Sequence, residues 1–179
     1  GLYEYYKAIS DAVNIPIIMY NVPSRTGTTI QPETAVRIAK EVKNVVAIKE
    51  ASGNISAVAK LASLANGCID IYSGNDDQVL PILSLGGKGV ISVWSHVAPK
   101  KVHDMVYAFL DGDIETAQKL QLEAIDVIGA LFCEVNPIPV KAAMNMLGYK
   151  VGTVRAPLTE LTDAHKEVLK KALKDYGVL

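Results

Sequence analysis

Three side chains in the first third of the chain belong to types that do chemistry at the ends of strands: Tyr20, Arg25 and Lys49. Lys49 closes the run Val45-Val46-Ala47-Ile48-Lys49. Period-two alternation puts Val45, Ala47 and Lys49 on one side and Val46 and Ile48 on the other. If Val46 and Ile48 pack on a helix layer, Lys49 points over the small Ala47 into the opposite space. Burial there disfavours the ammonium and raises the fraction of neutral amine able to attack a carbonyl, the requirement for a Schiff-base lysine. The alternative is a lysine whose stem merely covers the strand end while its head reaches water. Tyr20 closes Ile15-Pro16-Ile17-Ile18-Met19-Tyr20, one repeat upstream. Its phenol could relay protons between amine, carbonyl and product, or it could simply fill a packed layer. Arg25 follows in the loop Asn21-Val22-Pro23-Ser24-Arg25-Thr26-Gly27. A guanidinium on such a loop is either a bidentate clamp for a carboxylate or a solvated cation.

The elements that must position these groups alternate. Short β-branched runs at 15–20, 45–49, 69–73 and 89–93 suit strands buried on both faces of a parallel sheet. Helical patterns separate them, with Pro32 in a first turn, Asn54 as a cap, Gly67 as a stop, and Asp76 or Asp77 capping a segment to Leu85. A fourth helix runs from about Pro99 to Leu110. The chain opens inside a helical pattern, with Leu2, Tyr6, Ile9 and Val13 at helical spacing. After Gly112 the strands cease: Asp113 caps a long pattern through Leu131, a Pro-rich turn opens a helix to about Leu147, and Thr162 or Asp163 starts a last one.

The expected fold is therefore α/β. Four βα units, the second half of a (β/α)8 barrel, occupy 1–112, and a three-helix domain occupies 113–179. An open doubly wound sheet is the competitor, weakened because neither the dinucleotide glycine fingerprint nor a P-loop is present. Four units cannot close a barrel alone, so strand edges and one core face are left open.

Composition narrows the function classes. Of 179 residues, 50% are hydrophobic, and 18 basic against 19 acidic side chains leave a net charge of −1. That balance excludes a disordered chain and offers no electrostatic footprint for nucleic acid or an anionic membrane. No apolar stretch approaches the ~18–20 residues of a membrane span. Cys68 and Cys133 lack metal-type spacing, which suits a reduced, cytoplasmic protein. His96, His103 and His165 show no ligand spacing, so no metal is expected. Gly86-Gly87-Lys88-Gly89 precedes a strand rather than opening a helix, and reads as a tight turn and not a phosphate loop. The stripe Leu120, Ala124, Val127, Ile128, Leu131 reads as core or subunit interface.

At Tyr20-Asn21-Val22-Pro23-Ser24-Arg25-Thr26-Gly27 and Ile48-Lys49-Glu50-Ala51-Ser52-Gly53-Asn54 the sequence resembles the dihydrodipicolinate synthase family, within the pyruvate-dependent class I aldolases that include N-acetylneuraminate lyase. Ser73-Gly74-Asn75-Asp76-Asp77, Gly86-Gly87-Lys88-Gly89-Val90-Ile91-Ser92-Val93 and Asn136-Pro137-Ile138-Pro139-Val140-Lys141 continue the match in order, over essentially the whole chain. The resemblance implies a (β/α)8 barrel with a C-terminal helical domain, usually a homotetramer. It implies condensation of pyruvate with aspartate 4-semialdehyde, opening lysine and diaminopimelate biosynthesis, with no cofactor beyond the covalent Schiff base. It makes Lys49 the Schiff-base lysine, Tyr20 the proton relay and Arg25 the holder of the semialdehyde carboxylate. Gly74 and Ile91 become lining of the pyruvate pocket, Ile91 through its carbonyl.

Two alternatives stand beside it: an aldolase of the same group acting on a sugar or keto-sugar acid, and a non-catalytic half barrel that self-associates. Arg25 favours a small acidic aldehyde over the neutral sugar of the sialic-acid lyases. The resemblance also implies that the family's first strands lie outside this sequence. With them go the paired threonines of the pyruvate cradle, a second tyrosine from across a dimer, and the lysine-binding allosteric site. This chain alone is accordingly expected to be nearly inactive unless the other half is supplied.

Overall fold

The computed structural model describes all 179 residues, which form two compact units, Gly1–Ile91 and Ser92–Leu179. In the first, α1 (Leu2–Ala12) leads into β1 (Ile17–Asn21) and a single helical turn, α2 (Pro23–Thr26). Then come α3 (Pro32–Glu41), β2 (Val45–Glu50), α4 (Ile55–Ala65), β3 (Asp70–Ser73), a 3₁₀ turn (Asp76–Gln78), α5 (Val79–Ser84) and β4 (Gly89–Val90). The four strands pair in sequence order, all parallel, as helical crossovers between successive strands require.

The helix ends follow local chemistry. Pro32 sits at the start of α3, where a missing N–H costs nothing. The Asn54 side chain caps α4 by accepting from Ala57 N–H at 3.0 Å. Asn66, at φ +44°, ends that helix just before Gly67. Asp76 and Asp77 lie inside the 3₁₀ turn that precedes α5, whose own N-cap position is Gln78. The glycine run is a turn: Gly87 N–H donates to Ile82 O, and a Cβ on Gly87 would lie 2.7 Å from that oxygen.

Helices cover one face of the sheet. Met19, Ile48 and Ile71 pack there against Ile38, Val58, Leu61 and Ile82. Two details differ from the sequence expectation. The register of β1 and β2 slips between Ile17 and Ile18, so Val46 has no partner opposite it and is 45% exposed instead of packing on the helices. And β4 spans two residues, not five, because its only neighbour, β3, ends at Ser73. Ile91 N–H still reaches Ser73 O at 2.9 Å, after which the chain turns away.

The second unit contains the 3₁₀ turn Trp94–His96, α6 (Pro99–Leu110), α7 (Ile114–Glu123), α8 (Ile125–Leu131), α9 (Ile138–Met146) and α10 (Asp163–Asp175). The helix at 99–110 thus falls in the second compact unit, packed on α7. Four helices follow residue 112 where three were expected, since the pattern from Asp113 to Leu131 breaks at Ala124. There Ala124 N–H bonds the carbonyl of Gln121, three residues back, at 3.2 Å. One tightened turn leaves the spacing of the apolar stripe intact, so the break is silent in the periodicity. Ala124, Val127, Leu131, Leu169 and Leu173 form a buried spine of this unit. No helix of the chain is long and apolar enough to cross a membrane.

Candidate functional site

Tyr20 and Lys49 are register partners, at the C-terminal ends of adjacent parallel strands. The Lys49 amine lies over the Tyr20 ring, Nζ 4.2 Å from the ring centroid, a cation–π geometry. The contact is with the ring face; no hydrogen bond joins amine to hydroxyl. Both side chains occupy the sheet face opposite the helices, where Tyr20 is 42% exposed and Lys49 half-buried. Ile18 and Ile91 are exposed on the same unit. The amine therefore rests against the Tyr20 ring and is only partly buried, because nothing in this unit covers that face.

Gly74 touches the same centre. It follows β3, its N–H donating to Glu50 O at 2.7 Å, and a Cβ built on it would lie 3.0 Å from Lys49 Cε and 2.7 Å from Ala51 Cβ. The lysine stem takes the space a side chain would need. Ile91 is tied alongside through the backbone of Ser73. Arg25 sits apart from this cluster, on α2 in the loop after β1, exposed and without an ion pair. Lys49 thus lies between the Tyr20 ring and Gly74, Ile91 is joined to the end of β3 through the backbone, and Arg25 stands on the loop that follows β1.

Behind the lysine, on the helix side, lies a polar group that sequence reasoning missed. Asn21 and Glu50, the residues after Tyr20 and Lys49, are only 3% and 4% exposed. Asn21 Nδ2 donates to Glu50 Oε2 at 2.8 Å, Ile30 N–H donates to Asn21 Oδ1 at 2.9 Å, and Ser52 N–H donates to Glu50 Oε1 at 2.7 Å. The signal was available. Alternation puts Glu50 on the same side as buried Ile48, and a carboxylate there demands partners.

Elsewhere, a pocket of the second unit is lined by Ile138, Met146 and Leu161 together with Lys141, Glu160 and Lys166, and it holds none of the expected site residues.

Residues 1–176 match the profile of the dihydrodipicolinate synthetase family. The 4-hydroxy-tetrahydrodipicolinate synthase of Caldicellulosiruptor bescii is 60% identical over 178 residues, covering 99% of this chain and 60% of that protein. The crystal structure of dihydrodipicolinate synthase from Thermotoga maritima superposes with a TM-score of 0.96 at 42% identity, over 100% of this chain and 62% of that one. The chloride-inhibited enzyme of Acinetobacter baumannii, solved in complex with pyruvate, gives 0.95 at 41% identity, over 100% of this chain and 61% of that one. The chain thus spans about three-fifths of the length of the relatives it matches.

Proposed function

Because the chain belongs to the dihydrodipicolinate synthetase family, we propose that it contributes the Schiff-base centre of a lyase that condenses pyruvate with L-aspartate 4-semialdehyde to 4-hydroxy-tetrahydrodipicolinate. The Lys49 amine adds to the pyruvate carbonyl and water leaves. Loss of a methyl proton from the resulting iminium gives an enamine. The enamine carbon attacks the aldehyde of the second substrate, whose own amine then adds to the imine carbon, closes the ring and releases Lys49. Tyr20 carries the protons these steps exchange. Arg25, a free guanidinium on the loop above, holds the carboxylate of the aldehyde. Gly74 and Ile91 line the pyruvate site.

The observation that carries this reading is the amine of Lys49 lying on the ring of Tyr20, at the C-terminal ends of paired parallel strands. In parallel α/β folds this end of the sheet is where catalytic groups gather. The same reading makes the sheet four strands of a (β/α)8 barrel, with the face bearing Lys49 turned inward. It also makes the protein a cytoplasmic homo-oligomer that needs no cofactor beyond the covalent pyruvate. Covering the face would supply the low dielectric that favours a neutral amine.

Incubation with pyruvate and borohydride, followed by mass mapping of the reduced adduct, tests it. A single modification at Lys49 is expected. Labelling spread evenly over the exposed lysines, with none preferred at Lys49, overturns it.

A further inference from the structure

The geometry points to Asn21 and Glu50 as positioning residues, whose buried side-chain relay holds Tyr20, Lys49 and the Arg25 loop in one fixed arrangement. The inference deepens the proposed function and rests on it for the meaning of that arrangement, though not for its geometry. Asn21 and Glu50 are themselves register partners, each one residue beyond a site residue, on the opposite face of the same two strands. Their mutual hydrogen bond clamps the ends of β1 and β2 together at the Tyr20–Lys49 pair. One arm of the relay reaches Ile30 N–H and thereby closes the loop that carries Arg25. The other reaches Ser52 N–H and fixes the turn that leaves Lys49.

The order of donors and acceptors makes this relay specific. Its two ends are backbone N–H groups, which can only donate. The two outer atoms between them must therefore accept, and of the two inner atoms one must donate and the other accept; Asn21 Oδ1, Asn21 Nδ2, Glu50 Oε2 and Glu50 Oε1 read acceptor, donor, acceptor, acceptor. Two amides cannot satisfy the sequence: with both oxygens turned to the backbone, two NH₂ groups face each other. Two ionised carboxylates cannot either, since two charged acceptors face each other. One amide and one carboxylate fit, in either order. The carboxylate is buried with no cation paired to it, held only by the donors of this relay.

The test uses the whole chain labelled with [13C]lysine, the Lys49 ε-methylene being assigned by its disappearance in Lys49→Arg. With the amine 4.2 Å from the Tyr20 ring centroid, the ring is expected to shift that resonance upfield in the unvaried chain. Glu50→Gln alone and Asn21→Asp alone are each expected to move it toward the position of the exposed lysines, and to speed hydrogen exchange at the Ile30 and Ser52 amides. The double exchange Asn21→Asp with Glu50→Gln restores donor order and is expected to bring both signals back. If a single variant fails to fold, Asn21→Ala replaces it, cutting only the Ile30 and Glu50 links of the amide. A Lys49 resonance unmoved by the single variants, or lost equally in the double, overturns the inference. Pyruvate adduct formation is measured on the same samples: an adduct that maps to lysines other than Lys49, in an unvaried chain that shows the ring shift, counts against the proposed function and leaves the relay standing.

Discussion

Gly74 and Lys49 share one space: a Cβ on residue 74 would approach Lys49 Cε to 3.0 Å, Lys49 Cγ to 3.1 Å and Ala51 Cβ to 2.7 Å. The lysine stem can bend away, but Ala51 Cβ is fixed to the backbone of the preceding loop. Gly74→Ala therefore forces the lysine off the Tyr20 ring and strains the loop. The expected cost is about 1–3 kcal/mol of stability, typical of overpacking, with a larger fall in the rate of pyruvate trapping at Lys49. Denaturant midpoints and adduct mass spectrometry on the same variant check both. A variant that traps pyruvate at the parent rate would show that the glycine is needed for the turn alone.

Tyr20→Phe separates the ring from its hydroxyl. The ring face that contacts the Lys49 amine remains, so trapping of pyruvate should persist. Proton transfers that need the phenol should slow by ~10²–10⁴-fold, the usual contribution of a positioned acid–base group. Exchange of the pyruvate methyl protons for deuterium, followed by NMR, reports enamine formation without the second substrate. An unchanged exchange rate would assign the proton transfers to another group.

What the sequence makes legible here is what one strand says about itself. Lys49 and Tyr20 end apolar runs, and strand ends in parallel sheets lie together, so their proximity follows from pattern. Asn54, Pro32 and Gly67 announce helix ends by chemistry confined to a few residues. The bulge at Val46 was hidden because register belongs to two strands at once, and no single run encodes it. The break at Ala124 was hidden because apolar spacing passes through it unaltered. The Asn21–Glu50 relay was overlooked for a different reason: each residue stands next to a more conspicuous one, and their pairing requires the register that the sequence withholds.

Arg25 is exposed and makes no ion pair within the chain. Arg25→Ala should accordingly change stability by no more than about 0.5 kcal/mol. If it holds the aldehyde's carboxylate, the same change removes a charged hydrogen bond of about 1.5–3 kcal/mol, an increase of ~10–100-fold in the KM for that substrate. Pyruvate trapping should be untouched. Arg25→Lys should rescue little, because an ammonium cannot make the paired contact of a guanidinium. Steady-state kinetics of the condensation, in the assembled enzyme, distinguish these outcomes from a loop cation of no consequence.

Acid stability of the second unit turns on Glu134. Its carboxylate accepts from the Thr162 hydroxyl at 2.7 Å and from Thr162 N–H at 3.1 Å, with His165 Nδ1 2.7 Å away. His165 first, then Thr162, lowers its pKa from 4.5 to about 2. A carboxylate depressed in the folded state adds stability above the unfolded value and loses it as pH falls through the folded one. The loop after α8 should therefore stay tied to the start of α10 at neutral pH and come free between about pH 4.5 and pH 2. Glu134→Gln should melt below the parent at pH 7, with the difference in Tm shrinking through that window as the parent's own carboxyl protonates. Asp104, Asp113 and Asp163 are also lowered by their partners, but they are present in both proteins and cancel in the difference. A gap in Tm that stays constant from pH 7 to pH 2 would mean that the Glu134 side chain contributes by shape and not by charge.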